Sequence, residues 1–125
     1  MSDALTFTVP GRLPGLNEYT RACRSSARVG NRCKQAAQRT VRWGINEAAL
    51  SPITDPVFIS FSWYEPNRRR DLDNVAFAKK FILDALVAAG VLSDDRRKCV
   101  TGFSDEFHVD QRCPRVVVTI ERTGV

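Results

Sequence analysis

The chain holds a single histidine, His108, and its four cysteines, Cys23, Cys33, Cys99 and Cys113, include no Cys-x-x-Cys pair. Structural zinc sites draw their ligands from closely paired Cys and His, so that class of domain is not indicated. Unpaired cysteines suit reduced thiols in a cytoplasmic protein. No apolar run approaches the ~20 residues of a membrane-spanning helix. The N-terminus lacks the basic and apolar regions of a signal peptide. There is no internal repeat and no low-complexity segment. Lysine is scarce, four residues against fifteen arginines.

What is present narrows the class. At 125 residues and 43% hydrophobic, the chain is long and apolar enough for one domain spanning residues 1–125 with a proper core. A net charge of +5 favours a polyanionic partner. Arginine is the better bidentate ligand for phosphate. Arg12, Arg21, Arg24, Arg28, Arg32, Lys34, Arg39 and Arg42 follow one another with Glu18 as the one acid among them. That segment reads either as a solvated surface or as a track for phosphates.

The pattern of apolar residues predicts a strand over residues 5–9, a basic loop from about 12 to 30, and a helix from about 31 to 50. Gly44 lies inside that helix at a cost of about 1 kcal/mol relative to Ala. A strand over 57–64 alternates cleanly. A second helix over 74–89 carries the stripe Val75, Ala78, Ile82, Ala85, Leu86, Ala89, with Gly90 as its stop. A weaker strand over 98–103 and a strong one over 115–121 complete the order β-α-β-α-β-β. The fold class is α/β (α+β): a single mixed sheet flanked by helices.

The most informative stretch is Arg68-Arg69-Arg70-Asp71-Leu72-Asp73-Asn74. In an extended backbone, carboxylates two residues apart point to one face. Two carboxylates held together repel unless a cation joins them, and hard oxygen ligands suit Mg²⁺ or Mn²⁺. Neighbouring arginines suit a phosphate-bearing substrate. The combination points to metal-dependent chemistry on a nucleic-acid backbone. Asp73 as a helix cap and Asp71 as an arginine partner are the plain alternatives. A second acidic pair, Asp94-Asp95, follows the helix, and a return toward the sheet would bring it to the first pair; a polar turn is the plain alternative.

Counting ~100° per residue from Asp73 along one helix puts Lys80 on the same stripe as Asp73, with Lys79 at the flank of the apolar stripe. Lys80 also stands four residues before Asp84, where it can form an ordinary ion pair. Trp63 reads as core. Trp43 either stacks on a base or rests on the sheet, and packing is favoured. His108 reads as structural, and Glu106 as a weak extra metal contact.

These residues resemble a known family. Arg-Asp-Leu-Asp-Asn at 70–74, Leu83-Asp84-Ala85-Leu86, Ala89-Gly90-Val91-Leu92 and Asp94-Asp95 are similar, in that order, to the RusA-like Holliday-junction resolvases, small endonucleases common in phages and prophages. The resemblance implies a Mg²⁺-dependent cytoplasmic homodimer, bacterial or phage-encoded, that binds four-way DNA junctions and cuts two strands symmetrically. It implies Asp71, Asp73 and Asp95 as catalytic metal-binding carboxylates, with Asp94 able to exchange roles with Asp95. The DNA contacts it suggests, taken with the basic segments, are Arg68, Arg69, Arg70, Asn74, Lys79, Arg21, Arg24, Arg28 and Arg32. One departure stands out. The family's prototype carries a catalytic lysine four residues after the second aspartate, where this chain has Phe77. Aligning backward from Asp84 puts Lys80 in that role. The other readings are a nuclease for flaps or other branched DNA, and a junction-binding protein that does not cut.

Overall fold

The computed structural model describes residues 4–123. The elements are β1 (Leu5–Pro10), α1 (Leu16–Ser25), α2 (Ala27–Glu47), β2 (Val57–Glu65), α3 (Leu72–Ala76), α4 (Lys79–Ala88), β3 (Val100–Val109) and β4 (Arg115–Arg122). The strands form one mixed sheet in the order β1-β4-β2-β3. β4 runs antiparallel to both β1 and β2, whereas β2 and β3 are parallel. Parallel neighbours need a crossover, and α3 with α4 supplies it.

The alternation expected for β2 is present. Val57, Ile59, Phe61 and Trp63 are buried, and Phe58, Ser60, Ser62 and Tyr64 lie half-buried on the other face. Phe7 and Val9 of β1 and Val116, Val118 and Ile120 of β4 join the buried face. Val41 and Ile45 of α2 and Phe81, Ile82 and Leu86 of α4 close over it. The helices thus cover one face of the sheet.

Four expectations need correcting. The segment 12–30 is not a loop, because α1 and the start of α2 occupy most of it. No residue of α1 is fully buried; its hold on the core is Tyr19, half-buried against Phe77 and Phe81 among exposed polar and basic residues. Ser26 separates the two helices; its backbone is extended, and its hydroxyl accepts the Val29 N–H at 3.1 Å, capping α2. The helix over 74–89 is two helices, α3 and α4. Around their junction, Ala78, Lys80 and Phe81 donate to Val75, Phe77 and Ala78, three residues back. Such bonds wind the chain at ~3 residues per turn, so a count at 100° slips by roughly 20° per residue there. The strand near 98–103 runs on to Val109, its polar half hidden by Asp105 and Glu106. Trp43 does not rest on the sheet and is 56% exposed.

Gly44 is where a glycine is required. A Cβ there would drive into the Thr8 carbonyl of β1, so the missing side chain lets α2 lie against the strand. Gly44→Ala is expected to lose about 1–3 kcal/mol to the clash, against the ~1 kcal/mol that alanine returns in a free helix. Urea unfolding measures the balance; a stabilised variant would show that α2 and β1 are not so close.

Candidate active site

The arginine-aspartate motif links the end of β2 to α3. Its two carboxylates do not sit on an extended strand. Asp71 is the extended residue before α3, and Asp73 lies in the first helical turn. Asp71 makes no capping hydrogen bond, while Asp73 Oδ1 accepts the Asn74 N–H at 2.9 Å. Both residues are exposed, and neither has an ion-pair partner among the described residues.

The residues flanking them hold the motif in place. Glu65 receives Arg70 through two hydrogen bonds of 2.9 and 2.8 Å and Arg12 through a third of 2.9 Å. Arg70 also donates to the Leu13 carbonyl at 3.2 Å. Asn74 accepts the Asn17 N–H at 2.9 Å through its side-chain oxygen. A Cβ on Gly15 would collide with that Asn74 oxygen and with Arg70, so glycine is what allows the contact. Arg70 and Asn74, read from the sequence as DNA contacts, thus tie the start of α1 to the motif. Arg68 and Arg69 remain exposed. Arg21 and Arg24 line a shallow polar recess of α1 with Asn17 and Thr20, and Arg28 and Arg32 are exposed on α2.

Burial of Glu65 acts to raise its pKa, but the hydrogen bonds and charges of Arg70 and Arg12 outweigh this and hold the carboxyl below its usual range. A group lowered on folding stabilises the fold above its unfolded pKa, about 4.3 for Glu. That contribution is lost as pH falls through the lowered folded value. Glu65→Gln is therefore expected to be less stable than the parent near neutral pH, with the gap narrowing as pH drops below about 4. Urea midpoints across pH check this; a gap that stays constant to strongly acid pH would contradict it.

Asp94 and Asp95 do return to the sheet, but at its other end. Ile53 N–H bonds Val91 O at 2.8 Å, and Val57 N–H bonds Cys99 O at 2.9 Å, which ties residues 91–99 to the start of β2. Asp71 and Asp73 follow the finish of β2, where Leu72 and Val75 line a cleft with Phe107 and Val109 of β3. β2 runs from Val57 to Glu65 between these two places, roughly 26 Å at ~3.3 Å per residue. The expectation that both acidic pairs meet within one chain is overturned. Among the described residues, no group of three or more His, Cys, Asp or Glu gathers to hold a metal. The crossover explains this, since a helix leaving the end of one strand delivers the chain to the start of its parallel neighbour.

Asp94 is engaged with Arg96 at 2.8 Å. Desolvation acts to raise its pKa, but the Asp95 N–H and Arg96 outweigh it and leave the carboxyl below its usual range. Asp95 is exposed and carries no ion pair among the described residues.

The two lysines part company. Lys80 is 60% exposed and pairs with Asp84 at 3.3 Å. Lys79 turns inward: its Nζ lies 2.8 Å from Asp105 Oδ2 and over the rings of Phe61 and Phe103. Asp105 Oδ1 also accepts the buried Trp63 Nε1–H at 2.8 Å. No sequence spacing announced this Lys79–Asp105–Trp63 group, because its members come from three elements. Lys79→Ala should destabilise by about 1–3 kcal/mol by leaving Asp105 short of a charged partner. Lys80→Ala should cost under ~0.5 kcal/mol. Thermal melts that reverse this order would contradict the assignment.

His108 stacks on Tyr64 at 4.6 Å between centroids and lies 3.7 Å from Glu106, while Arg115 covers the same Tyr64 ring at 3.8 Å. His108 also lines the cleft that Arg68 and Leu72 share.

No helix among the described residues is long and apolar enough to cross a membrane. The family model for "Endodeoxyribonuclease RusA" matches residues 17–121, most of the chain. No curated protein matches the chain.

Proposed function

The chain belongs to the RusA endodeoxyribonuclease family and is a DNA hydrolase, and on that premise we propose that it is a Mg²⁺-dependent resolvase of four-way junctions acting as a symmetric dimer in the cytoplasm of a bacterium or an infected one. The observation that carries the dimer is the separation of the acidic pairs. Mg²⁺ is ordinarily held by one or two carboxylates together with waters and substrate phosphate. Asp71 and Asp73, exposed oxygen ligands without ion pairs, fit that donor chemistry. Among the described residues of their own chain, no third carboxylate gathers with them. A two-fold axis that sets two chains side by side in opposite directions supplies it, giving each active site Asp71 and Asp73 from one chain and the partner's Asp95, with the partner's Asp94 beside it. Mn²⁺ should substitute.

Each residue then has a task. Asp71 and Asp73 hold the ion at the start of α3, and the Glu65–Arg70–Leu13 and Asn74–Asn17 bonds fix where α3 begins. Arg68 and Arg69 receive the scissile strand, with Arg21, Arg24, Arg28 and Arg32 of α1 and α2 on its flanking phosphates. Lys80, exposed beside Asp84, is the lysine that the alignment backward from Asp84 assigns to charge developing on the phosphate. The chemistry the ion supplies when bound is activation of water and stabilisation of the leaving 3′ oxygen. A four-way junction can itself be two-fold symmetric, so a symmetric dimer can cut opposed strands in a pair.

The test is a substrate panel: a labelled four-way junction, a flap, a fork and a linear duplex, with and without Mg²⁺. Paired nicks in the junction that require the ion are expected. Preferential cutting of flaps or forks would support the broader branched-DNA nuclease, and tight binding with no product under any ion would support a binding protein.

A further inference from the structure

We infer that the outer edge of β3 is the seam at which two copies of this chain join, an inference that rests on the dimeric reading above. β3 is the last strand of the sheet; nine of its ten residues pair with β2 on one side, Thr101 being skipped where the register shifts, and no described strand pairs with it on the other. An unpaired edge of that length presents a row of backbone donors and acceptors ready for another strand. The described residues include five exposed large apolar side chains, and three of them border this edge: Phe103 at 43%, Val109 at 51% and Leu72 at 59%. Leu72 lies beside β3 because it shares the cleft with Phe107 and Val109.

The occupant is a second copy because the edge is complementary to itself when reversed. Arg97 and Lys98 precede β3 and Glu106 lies in its second half, while Arg96, Asp105 and Asp110 are already paired within the chain to Asp94, Lys79 and Arg115. Among the described residues Arg97 and Lys98 have no ion pair, and Glu106 meets only His108 at 3.7 Å. Antiparallel pairing of β3 with the partner's β3 places the basic start of each toward the half of the other that carries Glu106. The same pairing carries the partner's Asp94 and Asp95, just upstream of its β3, to the end of the sheet where Asp71 and Asp73 stand.

The register follows from symmetry. Opposite residues of an antiparallel pair share a face, so the axis must pass through a single residue for the helix layers to stay on one side. An axis at Asp105 would set two carboxylates against each other, which is destabilising. An axis at Ser104 avoids this and opposes two small hydroxyls.

Two variants test the seam, each in the full chain. Ser104→Lys sets two ammonium groups together on the axis, and sedimentation should show dimer affinity weakened at least tenfold while circular dichroism shows a folded chain. Ser104→Cys should form an intersubunit disulfide under mild oxidant, with the parent chain and its own four cysteines as control. A parent dimer that Ser104→Lys leaves intact, or in which Ser104→Cys gives no more cross-link than the parent, overturns the seam but leaves a dimer standing. A parent that stays monomeric both free and on a four-way junction overturns the dimeric reading and the seam with it.

Discussion

Asp73→Asn is expected to cut cleavage of a four-way junction at least about a hundredfold, because losing even an outer partner costs a metal site ~10–100-fold. Junction affinity should hold or rise. The side chain is exposed and its role in the fold is one accepted hydrogen bond, from the Asn74 N–H at 2.9 Å, which an amide oxygen can also accept. The change therefore removes charge without removing structure. Removing a negative charge beside Arg68, Arg69 and the DNA also relieves repulsion with phosphate. Single-turnover cleavage in Mg²⁺ and gel shifts without it separate the two effects. A variant that cuts at the parental rate would strike Asp73 from the metal site.

Asp95→Asn should produce an equally deep loss, although Asp95 lies at the far end of its own sheet from Asp73. Within an isolated chain this substitution touches an exposed turn and should leave thermal stability within about 0.5 kcal/mol of the parent. An Asp94→Asn change should do less to cleavage, because Asp94 is already occupied by Arg96 at 2.8 Å. If Asp95→Asn cleaves normally, the site draws on no carboxylate from this turn.

The core strands were legible because burial on one face imposes a period of two. Val57, Ile59, Phe61 and Trp63 show it, and so do Val116, Val118 and Ile120. α1 was harder to read, because it has no fully buried residue and its contact with the core is Tyr19, set among polar and basic neighbours. The break at Phe77–Ala78 was hidden because Val75, Ala78 and Ile82 keep an apolar stripe through it, while the backbone bonds tighten beneath. β3 was half read, since its second half carries Asp105 and Glu106 on an edge strand.

The candidate site divides the same way. Asp71, Asp73, Asp94 and Asp95 could be picked out by type and spacing, but their separation is a property of topology. It follows from β2 and β3 being parallel, and no local pattern encodes which strand neighbours which. Arg70 and Asn74 look like DNA ligands in the sequence. Their partners Glu65, Leu13 and Asn17 are known only once β2, α1 and α3 are packed together.

The most direct measurement mixes the two inactive proteins. Asp73→Asn and Asp95→Asn chains, allowed to exchange subunits, form hybrid dimers. In a site shared between subunits, each hybrid has one site with both changes and one with neither. Random exchange makes half the dimers hybrids, so the mixture should recover about a quarter of the parental sites and nick one strand of the junction. Were each site built from one chain alone, both sites of every hybrid would carry a lesion, and a mixture as silent as its two components would contradict this account.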